Sequence, residues 1–136
     1  MSYIPFKINV SVIIRRNDQF LLIKRADDED IFPGLWGIPG GTVEPTDGTL
    51  EIALARECRE EVGIEIRDPQ LIANNINNKG NKGALYMVYQ AEYVSGTPRP
   101  LDGTADVQWL SIDEIRILQL TPKTLDIIET TLVKVI

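Results

Sequence analysis

The sequence has 136 residues, of which 43% are hydrophobic, a length and composition that predict one globular domain over residues 1–136. It contains no histidine, which excludes serine-type catalytic triads, histidine general bases and histidine-containing zinc sites. Twenty acidic and fourteen basic residues give a net charge of −6. This charge argues against a nucleic acid polymer as partner, and an anionic small molecule would need a cation as intermediary.

The cysteine content and the N-terminus indicate a reducing compartment. The single cysteine, Cys58, can form no intramolecular disulfide, and the first residues lack the features of a secretory signal peptide. The apolar runs fall well short of the roughly 18 residues of a membrane span. We therefore expect a cytoplasmic protein that does not use a membrane as a partner.

Residues 7–25 predict a β-hairpin. Apolar and polar residues alternate before Asn17-Asp18, the period of a half-buried strand, and an apolar run resumes after this turn signal. Ile13 is an exception, because it lies on the otherwise polar face of the first strand. The next stretch, 32–41, is crowded with proline and glycine, which predicts a shaped loop or a broken strand.

A helix is predicted over Thr49–Val62. Its apolar residues recur every four positions through Leu54 and Cys58, Thr49 is a suitable N-cap, and Gly63 supplies the expected stop. This helix follows the proline- and glycine-rich stretch directly.

The second half of the sequence predicts more strands and a last helix. Strands are expected over 70–76 and 84–94, joined by an asparagine-rich polar loop over 74–83, and a short strand over 107–110. Thr121 should cap, and Pro122 open, a helix with apolar residues at Leu125, Ile128, Leu132 and Val135. The element order predicts a mixed α/β (α+β) domain with a helix on each side or end of a sheet.

Three carboxylates share one face of the predicted helix: Glu57, Glu60 and Glu61. One interpretation is a solvated surface, since each like-charge pair costs only about 0.2–0.5 kcal/mol. The other is a site for magnesium, with manganese as a possibility, because hard cations prefer carboxylate oxygens and accept substrate phosphate oxygens as well. Such an ion would polarise phosphorus and help to form a nucleophilic hydroxide, and a spare carboxylate could take the proton of the water.

The segment from Gly41 to Ile64 resembles the signature of the Nudix hydrolases, Gly-x5-Glu-x7-Arg-Glu-U-x-Glu-Glu-x-Gly-U with U apolar. Residues 56–64 match its second half without exception. In the first half, Asp47 stands where the family usually has Glu, and Gly48 is one residue extra. The simplest account is an insertion after Asp47 with a Glu-to-Asp change, which leaves the role of this first acid open.

The resemblance extends to the loop 32–41 and to Trp109 in the segment 107–114, and therefore covers most of the chain. It implies a Nudix-like mixed β-sheet sandwiched between helices. It also implies hydrolysis of nucleoside diphosphates linked to another moiety, by attack of water on phosphorus with magnesium or manganese.

Residue roles follow by position in the motif. Glu57 and Glu61 would be the principal metal ligands, and Glu60 a further ligand or the general base. Gly40 would offer its carbonyl oxygen to the metal, and Arg56 would orient the carboxylates through charge-assisted hydrogen bonds. The alternative for Arg56 is an ordinary surface ion pair.

Substrate contacts are expected from residues outside the helix. Arg25 resembles an arginine that contacts substrate phosphate in the MutT-like branch, although it could be a solvated cation at a strand end. Glu44 projects from the loop close to the metal face or into solvent. Phe32, Trp36 and Tyr86 could stack on a base, but packing is the more frequent role of such aromatic residues.

Four further residues have open roles. Asp102 and Asp106 precede Trp109 where relatives often carry a late acidic metal ligand. Lys79 and Lys82 could reach phosphate or remain solvated.

The resemblance favours one substrate class by elimination. The proline typical of ADP-ribose hydrolases would fall near Gly80 and is missing, and Tyr86 lies too far along the chain for a dinucleoside polyphosphate hydrolase. The coenzyme A signature matches only at Leu21-Leu22 and Arg25. The preferred function is a MutT-like (deoxy)nucleoside triphosphate pyrophosphohydrolase that releases nucleoside monophosphate and pyrophosphate.

Two alternatives stay open. An ADP-ribose or nucleotide-sugar pyrophosphatase would be favoured by a homodimer whose partner completes the base pocket, whereas the preferred enzyme could be a monomer or a homodimer. A non-catalytic nucleotide-binding Nudix domain is the third hypothesis, and the intact Glu trio argues against it.

Overall fold

The structure is a computed structural model that describes residues 5–80 and 82–132. The elements in this part of the chain are β1 (Phe6–Arg16), β2 (Gln19–Arg25), β3 (Trp36–Gly37), β4 (Gly40–Thr42), a 3-10 turn (Pro45–Asp47), α1 (Leu50–Val62), β5 (Glu65–Lys79), β6 (Lys82–Ser95), β7 (Thr104–Ser111), α2 (Ile112–Arg116) and α3 (Thr124–Thr130). The predicted hairpin, the broken strand in the proline- and glycine-rich stretch, and the Glu-rich helix are confirmed.

β1 is the central strand of a mixed sheet. One of its edges pairs in parallel with β6 over residues 6–14. The other edge pairs antiparallel with β4 over residues 9–11 and then with β2 at Arg15 and Arg16. β2 also pairs with β3 and β7, and β5 pairs with β6. The short strand β4 therefore holds Gly40 and Gly41 against the middle of the sheet.

Different helices cover the two faces of the sheet. Val12 of β1 packs in one core with Leu54 of α1. Ile13 points to the opposite face, where it packs in a second core with Ile115 of α2 and Ile128 of α3. The predicted sheet sandwiched between helices is confirmed, and the apolar Ile13 on a polar-looking face is explained by the second core.

The asparagine-rich stretch is a strand and not a loop. β5 and β6 pair through it up to the Lys79 and Lys82 rung, so the prediction of a loop over 74–83 is wrong except at the turn that contains Gly80. The side chains of Asn74 and Asn75 are exposed. Cross-strand hydrogen bonds fix the backbone there, and the low strand propensity of an exposed asparagine costs little by comparison.

The last helix begins later than predicted. Pro122 and Lys123 form a turn, and α3 begins at Thr124. Lys123 has a φ of 66°, a left-handed conformation that separates Thr121 from the helix. The helix ends at Thr130 and residues 131–132 form a turn, so the prediction that it includes Leu132 is wrong, whereas Val135 lies outside the described residues.

α2 was not predicted, although the sequence carries its start signal. Ser111 and Glu114 form a capping box, in which the Ser111 hydroxyl accepts from the Glu114 N–H at 3.2 Å and Glu114 Oε1 accepts from the Ser111 N–H at 2.9 Å. The five residues of α2 are too few to show a helical period.

None of the helices in the two described ranges is long and apolar enough to cross a membrane. The longest, α1, has 13 residues.

Candidate active site

α1 presents its acidic side chains beside a buried stripe. Thr49 caps its first turn by accepting the Ile52 N–H at 3.1 Å, and Gly63 ends it in the left-handed conformation. Cys58 and its neighbours on the stripe are fully buried against the sheet. Since this burial fixes the rotation of the helix about its axis, it also fixes the side on which the carboxylates project: Glu57, Glu60 and Glu61.

The glycine pair of β4 brings the loop into direct contact with these carboxylates. The backbone N–H of Gly40 donates to Glu61 Oε1 at 3.0 Å. A β-carbon at Gly40 would lie 2.7 Å from the Cα of Ser11, and one at Gly41 would overlap the Glu57 carboxylate. A side chain at position 40 would therefore clash with the backbone of β1, and one at position 41 would displace the Glu57 carboxylate, so the loop and the helix form a single site.

Arg56 is the centre of a hydrogen-bond network. Its Nη1 donates to Glu57 Oε1 at 3.0 Å and to Glu60 Oε2 at 2.9 Å, and its Nη2 donates to the Thr42 carbonyl at 3.1 Å. The side chain is only 17% exposed. An ordinary surface ion pair does not describe this geometry, whereas the arrangement is that expected of a residue that orients carboxylates.

Asp47 closes this network from the other side. Its two oxygens accept Nε and Nη2 of Arg56 at 2.6 and 2.8 Å, and Oδ2 also accepts the Glu44 N–H at 2.7 Å. The hydrogen bonds from Arg56, followed by the one from Glu44, lower the pKa of Asp47 to about 2. Asp47, whose role was left open by the sequence analysis, is thus the principal partner of Arg56.

Two carboxylates of α1, those of Glu57 and Glu61, have raised pKa values. Burial raises the pKa of Glu61 to about 8, the Gly40 N–H opposes this rise, and the charges of Glu57 and Asp102 add to it. Burial also raises the pKa of Glu57, against the effect of Arg56. The site therefore gathers carboxyl groups where their charged forms are poorly screened by water.

Arg25 and Glu44 both lie beside this cluster. The charge of Arg25 lowers the pKa of Glu61, but its Nε donates to the Ile31 carbonyl at 2.7 Å and its Nη2 lies 3.7 Å from Glu29 Oε2. Glu44 is largely exposed, with Oε1 3.8 Å from Arg56 Nη1. Arg25 thus also stabilises the loop that follows β2 through its hydrogen bond, and the exposed side chain of Glu44 is accessible to a ligand.

A family model described as NUDIX domain matches residues 5–131 of this chain. The chain belongs to the Nudix family. Nucleoside triphosphatase NudI of Escherichia coli K12 is 40% identical over 88 residues, which cover 59% of this chain and 62% of that protein. The match therefore spans less than two thirds of this relative.

Solved Nudix structures share the fold over nearly the whole chain. A MutT NUDIX hydrolase from Burkholderia pseudomallei superposes with a TM-score of 0.79 at 28% identity, covering 92% of this chain and 97% of its own. The MutT protein from Methanosarcina mazei Go1 gives 0.77 at 26% identity, covering 98% and 100%.

The donor set of this Nudix site fits a hard divalent cation, the class of ion that hydrolases of the family generally use. Within residues 5–80 and 82–132, no three acidic or cysteine side chains gather tightly enough to enclose a metal by themselves. Magnesium typically takes one or two carboxylates and completes its shell with water and phosphate oxygens. Two partly buried, mutually repelling carboxylates, Glu57 and Glu61, match that requirement.

The three candidate aromatic residues lie on different elements of this Nudix domain. Trp36 packs into the second core, and its backbone pairs beside Leu120, so the structure assigns it a packing contact. Tyr86 is exposed on β6 in register with Asn9, whose Oδ1 accepts the Thr42 hydroxyl at 3.1 Å. Phe32 is exposed in the loop after β2.

The two acidic residues that precede Trp109 and the two lysines of the β5–β6 hairpin lie in three different places in this Nudix domain. Asp102 is close enough to raise the pKa of Glu61. Asp106 Oδ1 instead accepts the Val107 N–H at 2.8 Å, so it is held along its own strand. Lys79 and Lys82 pair at the last rung of the β5–β6 hairpin.

Proposed function

We propose that this Nudix domain hydrolyses (deoxy)nucleoside triphosphates to nucleoside monophosphate and pyrophosphate. The observation that carries the proposal is that hydrogen bonds hold all three helix carboxylates in place. Arg56 donates to Glu57 and Glu60, and the Gly40 N–H donates to Glu61. A solvated acidic surface would need neither a partly buried arginine nor a glycine pair packed against it.

The Glu57 and Glu61 carboxylates would hold magnesium, or manganese, with the Gly40 carbonyl as a further oxygen donor. When bound, the cation supplies charge neutralisation, polarisation of phosphorus and a more acidic water. Glu60 is half exposed and held by Arg56, which suits a general base that takes the proton of the attacking water. As the water oxygen bonds to phosphorus, the phosphoanhydride bond breaks and its electron pair leaves with the departing phosphate oxygen.

Binding of the triphosphate would use the remaining residues around the cluster. Arg25 at the end of β2 lies close enough for its charge to lower the pKa of Glu61, and it would contact phosphate. Glu44 and Tyr86 border the same loop and sheet and would contact the substrate, whereas Trp36 packs in the second core. The class of substrate is supported by the similarity to NudI, a nucleoside triphosphatase, and to MutT proteins.

The test is a screen of the purified chain with magnesium and resolved products. Nucleoside and deoxynucleoside triphosphates, ADP-ribose, nucleotide sugars and dinucleoside polyphosphates would each be offered, and the products separated by ion-exchange chromatography. Equal amounts of nucleoside monophosphate and pyrophosphate from a triphosphate are expected. Release of a sugar phosphate, with triphosphates left intact, would contradict the proposal.

A further inference from the structure

The connection between β4 and α1 departs from the Nudix pattern at two adjacent positions. Asp47 replaces the usual longer acid, and Gly48 adds one residue before the helix. Both lie in the segment whose Asp47 side chain binds Arg56.

The Asp47 carboxylate has no room to move. Its two oxygens accept three hydrogen bonds of 2.6 to 2.8 Å, two from Arg56 and one from the Glu44 N–H, and its side chain is 3% exposed. The extra methylene group of a glutamate would place the carboxylate about 1.5 Å further from the backbone. It would therefore have to displace Arg56 or give up the hydrogen bond from Glu44.

Gly48 is required by conformation and not by space. Its φ is 83°, a region that residues with side chains rarely adopt, while a β-carbon there would meet no atom within 4 Å. This glycine is the single residue between the 3-10 turn and Thr49, the cap of α1. It thereby sets the distance between the backbone of Asp47 and the side chain of Arg56.

We propose that Asp47 and Gly48 are a matched pair. The extra glycine places residue 47 where an aspartate, and not a glutamate, closes on Arg56, which makes Asp47 a positioning residue for Glu57 and Glu60. The kinetic part of this inference rests on the proposed function, whereas the binding of Mn²⁺ to the free protein tests it independently.

The experiment compares Asp47→Glu, deletion of Gly48, and the two changes combined. For each, kcat and KM for the triphosphate, the Kd for Mn²⁺ by electron paramagnetic resonance, and the thermal midpoint would be measured. Each single change should lower kcat and weaken Mn²⁺ binding by about tenfold or more, with KM nearly unchanged because Asp47 contacts no substrate. The combined variant should return to within about threefold of the original protein in both quantities.

A matched control is Asp113→Glu, which lengthens an exposed acid paired with Arg116 on α2 and should change nothing. The inference is overturned if the combined variant is no better than the single ones, or if the single changes lower only the thermal midpoint and leave kcat and the Mn²⁺ Kd intact. If the original protein cleaves no nucleotide, the proposed function fails, and the order of Mn²⁺ affinities still decides whether the pair is matched.

Discussion

Gly41 lies so close to Glu57 that a β-carbon at position 41 would occupy the space of the Glu57 carboxylate. The residues come from different elements, β4 and α1, and their contact fixes where the loop sits on the helix. The absence of a side chain at position 41 is therefore part of how the acidic site is built.

Alanine substitutions at the two glycines should have different effects. Gly41→Ala should push the Glu57 side chain away and lower kcat by about 10- to 100-fold with a small change in thermal midpoint, because a side chain can rotate. Gly40→Ala should chiefly destabilise the fold, by roughly 1–3 kcal/mol, because its β-carbon meets the backbone of β1. Steady-state kinetics and thermal unfolding of both variants check this, and equal effects of the two changes would contradict it.

Arg56→Lys should impair activity although it keeps the charge. A lysine ammonium cannot reproduce the bidentate contact with Asp47 while also reaching Glu57 and Glu60. We expect kcat to fall by about tenfold or more, with KM changed less. Arg116→Lys on α2, whose ion pairs are exposed, is the matched control and should behave like the original protein.

The helix and its acidic face could be predicted from the sequence because both depend on local periodicity. Thr49 and Gly63 determine where α1 begins and ends, and the buried stripe determines which way its side chains point. These signals lie within the helix and its caps, so no distant contact has to be known to recognise them. The order of elements predicted a helix on each side or end of a sheet, and the resemblance to the Nudix family implied the sheet sandwiched between helices.

The features that the sequence analysis predicted wrongly or missed depend on tertiary contacts. The asparagine-rich strand is held by pairing with β6, which overrides the propensity of Asn74 and its neighbours. The contact of Asp47 with Arg56 was missed because the motif position of Asp47 does not say what its carboxylate touches, and only the folded loop shows which acid reaches the guanidinium.

The stability of the metal-free protein should fall as pH rises. Glu61 titrates at about 8 in the folded chain against an ordinary 4.5, so the folded state holds its proton more tightly than the unfolded chain. The corresponding stability is fully present below pH 4.5 and is lost as pH rises through 8. Glu61→Gln removes the titrating group and with it this loss of stability. At pH 8 the free energy of unfolding of this variant should exceed that of the original protein by on the order of 1–3 kcal/mol, whereas at pH 5 the two should be similar. Urea unfolding in the presence of a chelator measures the difference, and an equal difference at both pH values would refute the assignment.

Cys58 should be chemically inert in the folded protein. It is fully buried on the α1 stripe, and burial raises the pKa of its thiol to about 12. A thiol reagent such as Ellman's reagent should label it at pH 8 only as fast as the protein unfolds, with complete labelling in denaturant. Rapid labelling of the native protein would show that the stripe is not packed as described.

The most direct test of the account is the effect of Glu57→Gln on kcat/KM for a cleaved nucleoside triphosphate at saturating magnesium. Asp113→Asn, an exposed acid on α2, serves as the control for loss of one negative charge. The account predicts a loss of at least about a hundredfold for Glu57→Gln, since a carboxylate that holds the cation becomes a neutral amide, and less than about a twofold change for the control. Unchanged hydrolysis by a folded Glu57→Gln variant would contradict the carboxylate site on α1.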